Sequence, residues 1–227
     1  MSNALSIAAV TATIKNLLEN GLVDDAIVSS IGDVLVSALP PDKIEVGKDE
    51  RAQINLFLYQ VSQNRNVDWI SPEFRDKQGL MPLALRHSHT GTKDKQEREF
   101  TNPPLALDLH YLLTAYGPKD FQSEILLGYA MQLLHISPII KLEVIEAALE
   151  NASGTGTSNA FAQALRSVSV SDLARQIRQI KISSEFLNME DTSKIWSALQ
   201  THYRPSATYY ASMVLIESSP SIKNSDI

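Results

Sequence analysis

The chain has no cysteine, which excludes disulfide scaffolds, thiolate zinc sites and cysteine nucleophiles. No stretch approaches the roughly 18 consecutive apolar residues that a membrane-spanning helix needs. Positive charge is not in excess either: 20 Lys and Arg stand against 26 Asp and Glu, for a net charge of −6. A surface that tracks phosphates draws on Lys and Arg, so nucleic-acid binding is not expected. Arg175, Arg178 and Lys181 form a short basic cluster, but no aromatics interleave it in the manner of an RNA-binding surface, and it reads as the solvated edge of a strand or helix. Three catalytic signatures are missing as well: a G-x-S-x-G elbow, an H-E-x-x-H pair and a phosphate-loop lysine. From Leu5 to Ile14 the N-terminus is apolar, but no Lys or Arg precedes it and Thr11 and Thr13 interrupt it, so it does not read as a secretion signal. The expectation is a soluble protein made in the cytoplasm.

What is present suits one globular core. The 227 residues are 44% hydrophobic, enough for a single domain, here expected over residues 1–217, with a polar tail from Ser218 to Ile227 that is expected to be disordered. Ile7, Val10, Ile14, Leu17 and Leu18 recur at helical spacing up to Gly21, an amphipathic helix with a glycine at its end. Val34 to Leu39 and Ile54 to Val61 read as strands, the second apolar on both faces. Asp120 is placed to cap a helix to Ile136 whose buried side is Ile125, Leu126, Tyr129, Leu133 and Leu134. A further helix is expected from Ile139 to Glu150, ending at a flexible connection through Gly154-Thr155-Gly156. A strand follows over Gln176 to Phe186, with Ile177, Ile180 and Ile182. The last elements are a short helix from Glu190 to Leu199 carrying Trp196 and a strand from Ala207 to Glu217. Strands and helices in this irregular order, without a βαβ repeat, indicate an α+β fold: a mixed, largely antiparallel sheet covered by helices.

One run carries more information than the rest. Pro103-Pro104 sets an extended entry, the odd positions Leu105, Leu107, Leu109, Tyr111, Leu113 and Ala115 are all apolar, and Gly117-Pro118 closes the run. That pattern is a strand with a continuous apolar face, and its other face, through Ala106, Asp108, His110, Leu112, Thr114 and Tyr116, is semi-polar. Together with Met1-Ser2-Asn3-Ala4-Leu5-Ser6-Ile7-Ala8-Ala9-Val10-Thr11-Ala12-Thr13, Ile54-Asn55-Leu56-Phe57-Leu58-Tyr59-Gln60-Val61, Lys194-Ile195-Trp196-Ser197-Ala198-Leu199-Gln200 and Tyr203-Arg204-Pro205-Ser206, it resembles the N-terminal domain family of the tail-terminator, or cap, proteins of contractile injection systems. That is the kind found in the antifeeding prophage and the Photorhabdus virulence cassettes. The resemblance implies a phage-tail-terminator-like fold and a structural role without catalysis or cofactor: a sixfold ring of copies that closes the end of an inner tube and its sheath and stops elongation. Its implied partners are further copies of itself, the tube protein and the sheath protein. A baseplate adaptor in the same particle is the nearest structural alternative.

The residues that invite a chemical reading are few. His87-Ser88-His89 places two imidazoles on one face of a strand, as in a metal site, with Asp94, Glu97 or Glu99 as the only nearby third ligand. A small metal-dependent enzyme built on His87 and His89 is therefore the alternative function. Asp108 and His110 lie two apart on one strand face, a spacing that can orient a general base, though no nucleophile accompanies them. The segment from Asn64 to Asn102 is polar, carries none of the family wording, and is expected to be an assembly loop with Trp69, Phe74, Met81 and Leu83 as apolar anchors. Tyr209 and Tyr210 point to opposite faces of one strand, so one is expected in the core and the other at a subunit contact.

Overall fold

The computed structural model describes residues 5–24, 31–44, 51–64, 105–154 and 160–216. The loop anchors Trp69, Phe74, Met81 and Leu83, the pair His87 and His89, and the tail 218–227 lie outside these residues.

Alternation places the strand at Leu105–Tyr116 (β3) in the middle of the sheet. It is flanked by the antiparallel strands Ala52–Gln63 (β2) and Ser206–Ile216 (β6). Beyond them lie Val34–Ser37 (β1), parallel to β2, then Ile180–Glu185 (β5) and Ile139–Ile140 (β4). The six strands run in the order β1-β2-β3-β6-β5-β4, a mixed sheet with one parallel pair. The odd positions of β3 from Leu107 to Ala115 are buried in the main core, where the Tyr111 hydroxyl meets Thr11 Oγ1 at 2.9 Å.

Helices cover that face. In Ser6–Asp24 (α1), Val10, Ile14, Leu18 and Leu22 repeat every fourth residue and are buried. The helix does not stop at Gly21 but continues to Asp24. Gly21 is small for a different reason, because Leu133 of Gln122–Ile136 (α2) occupies the space a Cβ would need, and the Tyr129 hydroxyl donates to the Gly21 carbonyl. Buried residues of α2 are Leu126, Ala130 and Leu134, whereas Ile125 is 40% exposed rather than buried. Nor does Asp120 cap this helix: the cap position is Phe121, in the left-handed region at φ 66°, with no side-chain hydrogen bond.

Further departures occur after Pro138. Ile139 and Ile140 are extended and pair with Lys181 and Ile180, so the next helix, Leu142–Gly154 (α3), starts later than its apolar spacing suggests and runs through Asn151 to Gly154. β-branched residues favour strands over helices, and pairing with β5 holds Ile139 and Ile140 extended. A short helix, Ala160–Leu165 (α4), follows. The strand expected from Gln176 begins only at Ile180. Residues Val170–Ile177 form a helix (α5), because Ser169 accepts from the Asp172 amide and Leu173, Ala174 and Ile177 share one buried side. Arg178 then turns the chain at φ 61°. Met189–Ala198 (α6), capped by Asn188, links β5 to β6.

Candidate assembly face

The second face of the sheet holds the features that packing does not explain. Cross-strand register aligns Gln60, His110, Tyr210 and Ser183 in one row across four strands, and Phe57, Leu112, Thr208 and Glu185 in the next. Toward the start of β6 this face is sealed: Leu112, Thr114 and Tyr116 are buried, with the Arg204 guanidinium 5.0 Å above the Tyr116 ring. Trp196 of α6, only 3% exposed, meets Tyr203 edge-on at 5.9 Å. Toward the middle of the strands the face is half-buried and rich in polar aromatics.

His110 is the hub of that middle zone. Its Nε2 lies 2.8 Å from Ser62 Oγ and its Nδ1 lies 3.0 Å from Glu185 Oε2. With Glu185 ionised and the imidazole neutral, Nδ1–H donates to the carboxylate and the serine hydroxyl donates to Nε2. The Tyr59 hydroxyl donates to the same Glu185 oxygen at 3.0 Å. Burial first, and then the charge of Glu185, push the Tyr59 phenol well above its ordinary value. The Tyr210 ring stacks against His110 at 6.1 Å and 29°. Asp108 shares the face with His110 but does not orient it; it accepts from Asn64 Nδ2 at 2.9 Å. The carboxylate that aligns the histidine is thus Glu185. Neither it nor Ser62 or Tyr59 could be paired with His110 from the sequence, since each partner sits on another strand and no local spacing links them.

Serine, histidine and carboxylate in this order form the relay of nucleophilic hydrolases. Ser62, however, lies within a β-strand and not on the sharp strand-to-helix turn that presents a hydrolase nucleophile. An open groove formed by the described residues lies elsewhere, lined by Met189, Trp196, Gln200 and Tyr203 among others. The arrangement suits a lock that ties β2, β3 and β5 together. Among the described residues no group of three or more His, Asp or Glu is placed to hold a metal ion, and none of their helices is long and apolar enough to cross a membrane.

Of the two tyrosines singled out in β6, Tyr209 is 6% exposed and belongs to the core, so it is not available as a contact. Tyr210 lies on the half-buried face. Large apolar side chains that packing leaves in solvent include Phe186 at 92%, Met189 at 70% and Tyr203 at 53% exposure, all in or next to the α6 connection. Residue type alone does not mark these as exposed, because nothing in the sequence states which side of α6 meets the sheet.

The model of the Pvc16 N-terminal domain family matches residues 9–225. No curated protein matches the chain. Among solved structures, it is similar to the sheath/tube terminator, in the extended state, of the PVC extracellular contractile injection system. The identity is 12%, the match covers 94% of this chain and 57% of that one, and the TM-score is 0.47. It is also similar to the tube-terminating cap of the anti-feeding prophage, with 15% identity, 86% and 54% coverage and a TM-score of 0.36. The chain therefore spans little more than half the length of either structure it matches.

Proposed function

Given that the chain belongs to the Pvc16 N-terminal domain family, we propose that it is a structural, non-enzymatic terminator: copies form a ring that closes the end of the inner tube and sheath of a contractile injection system and stops tube growth. The observation that carries this reading is the family match across residues 9–225, nearly the whole chain. The surface is consistent with it. One sheet face is buried under helices, while the other carries Tyr59, His110 and Tyr210 only partly buried, and aromatic residues that are partly dry and partly polar suit protein contacts. The partners are further copies of the chain, the tube protein and the sheath protein. Assembly takes place in the cytoplasm, and residues 64–102 supply contacts through Trp69, Phe74, Met81 and Leu83.

The test is the length of assembled particles. Deleting the gene in a particle-producing strain is expected to give tubes and sheaths of uncontrolled or unstable length on intact baseplates. Particles of normal, uniform length in electron micrographs of the deletion strain would refute the terminator role.

A further inference from the structure

Among the described residues, the strand register leaves two stretches of sheet edge without a pairing strand. β1 pairs with β2 only from Ala52 to Asn55; Leu39, just beyond β1, is still tied to β2 through the Asn55 side chain, and among the described residues no strand pairs with the outer edge of β2 from Leu56 to Gln63. On the opposite side β4 covers β5 only at Ile180 and Lys181, and the Ile182 amide bonds to the Pro138 carbonyl. From Ser183 to Glu185 no strand pairs with that edge among the described residues either. An open edge presents unpaired N–H and C=O groups, which are satisfied most directly by another strand.

The two open stretches match each other in level and in direction. Following the ladder across the sheet, Ser183 stands in the row of Gln60, and Glu185 in the row of Phe57. β1 blocks one end of its edge and β4 blocks the other end of the opposite edge, leaving the middle without a pairing strand on both sides among the described residues. Since β2, β3, β6 and β5 alternate in direction, β5 runs opposite to β2. If a second copy is set beside the first with its helices on the same side, β5 of one copy meets β2 of the next as an antiparallel pair. The contact uses two different surfaces of one chain, so it repeats from copy to copy and closes when the rotation per copy allows.

We propose that copies of this chain join edge to edge, the Ser183–Glu185 stretch of β5 in one copy adding to the open edge of β2 in its neighbour, to give one continuous antiparallel sheet around the ring. This rests on the ring reading above and assigns its subunit contact. Sliding β5 toward the Gln63 end of the neighbour's β2 carries β4 clear of that strand's tip, and closing a sheet on itself requires such a stagger. The shortness of the β5 stretch also limits unwanted growth, since short edge strands are a known means of avoiding free aggregation.

The absence of cysteine makes the test clean, because every thiol introduced is unique. Val61 and Ser184 are both exposed and stand on the same side of the sheet, as their partners Leu109 and Tyr209 show. A stagger of two residues shifts them by about 7 Å, so a bismaleimide spanning roughly 10 Å tolerates it. Particles are assembled with the Val61→Cys, Ser184→Cys double variant, treated with this reagent and run on a denaturing gel, while the presence of caps is scored separately by electron microscopy. A ladder of linked copies in the double variant, absent from each single variant, is the expected result. Capped particles that give no ladder, or a linked product that stays at monomer size, overturn the edge pairing and leave the terminator reading intact. If the chain is absent from particle ends altogether, the terminator reading falls and takes this proposal with it.

Discussion

At the scale of single residues, glycine and serine positions show how a sequence feature can carry a meaning other than its obvious one. Gly21 looks like a helix terminator, yet α1 passes through it and the missing side chain makes room for Leu133. Alanine there would gain up to about 1 kcal/mol in helix propensity and lose about 1 to 3 kcal/mol through overpacking. We therefore expect Gly21→Ala to lower stability in urea denaturation, with part of the loss recovered when Leu133 is also shortened. A more stable Gly21→Ala protein would show that the two helices can separate at no cost. Ser62 raises the same issue in chemical form. Its hydroxyl has the histidine and carboxylate of a hydrolase behind it but lies within a strand. A fluorophosphonate probe is expected to leave Ser62 unmodified, and Ser62→Ala to cost about 1 kcal/mol of stability as the loss of one hydrogen bond. A covalent adduct at Ser62 would make the network a reactive centre and not a lock.

At the scale of elements, the strands were more legible than the helix boundaries. The alternation through Leu105 to Ala115 specifies a strand by its period of two, while the stretch after Val34 and the run from Ile54, apolar on both faces, are legible as strands from their short length and strand-favouring residues. Helix ends were harder to read. They depend on caps, and three of the caps here turn on contacts or backbone angles that spacing does not reveal: Phe121 in place of Asp120, Ser169 at the start of a helix that runs into the strand expected from Gln176, and Arg178 at positive φ. The candidate site was legible only in part. His110 and Tyr210 stand out by residue type, but their grouping with Ser62, Glu185 and Tyr59 arises from strand order, which joins segments far apart in the chain. The caps themselves can be tested. Ser169 and Asn188 each accept an amide hydrogen bond at the start of a helix, so Ser169→Ala and Asn188→Ala are each expected to lower stability by about 1 kcal/mol. Thermal unfolding would register the loss, and an unchanged midpoint for Ser169→Ala would mean that packing alone holds α5 in its helical state.

At the scale of the whole molecule, tyrosine links stability to pH. Tyr59 on β2, Tyr111 and Tyr116 on β3 and Tyr209 on β6 all have phenols raised above the ordinary value of 10.0, chiefly because burial disfavours the phenolate. For Tyr59 the neighbouring Glu185 charge adds to the effect, whereas the hydrogen bond between Thr11 and Tyr111, and at Tyr116 the hydrogen bond from Thr114 and the Arg204 charge, act the other way. The sign follows from the direction of the shift. Between the unfolded and the folded value, the unfolded chain gives up a proton that the folded chain keeps, so ionisation favours unfolding and stability falls as pH rises. The contribution of these groups is therefore fully present below about pH 10 and is lost progressively above it. Because the four sit on three strands and on both faces of one sheet, they are not expected to ionise one at a time in an intact fold. Phenolate absorbance near 295 nm, followed together with far-ultraviolet circular dichroism, should show these tyrosines ionising in a single step that coincides with loss of secondary structure above pH 10. Complete ionisation of all seven tyrosines near pH 10 with the circular dichroism unchanged would mean that the sheet opens to water without unfolding, and that neither of its faces is as tightly closed as the packing around Tyr111 and Tyr116 requires.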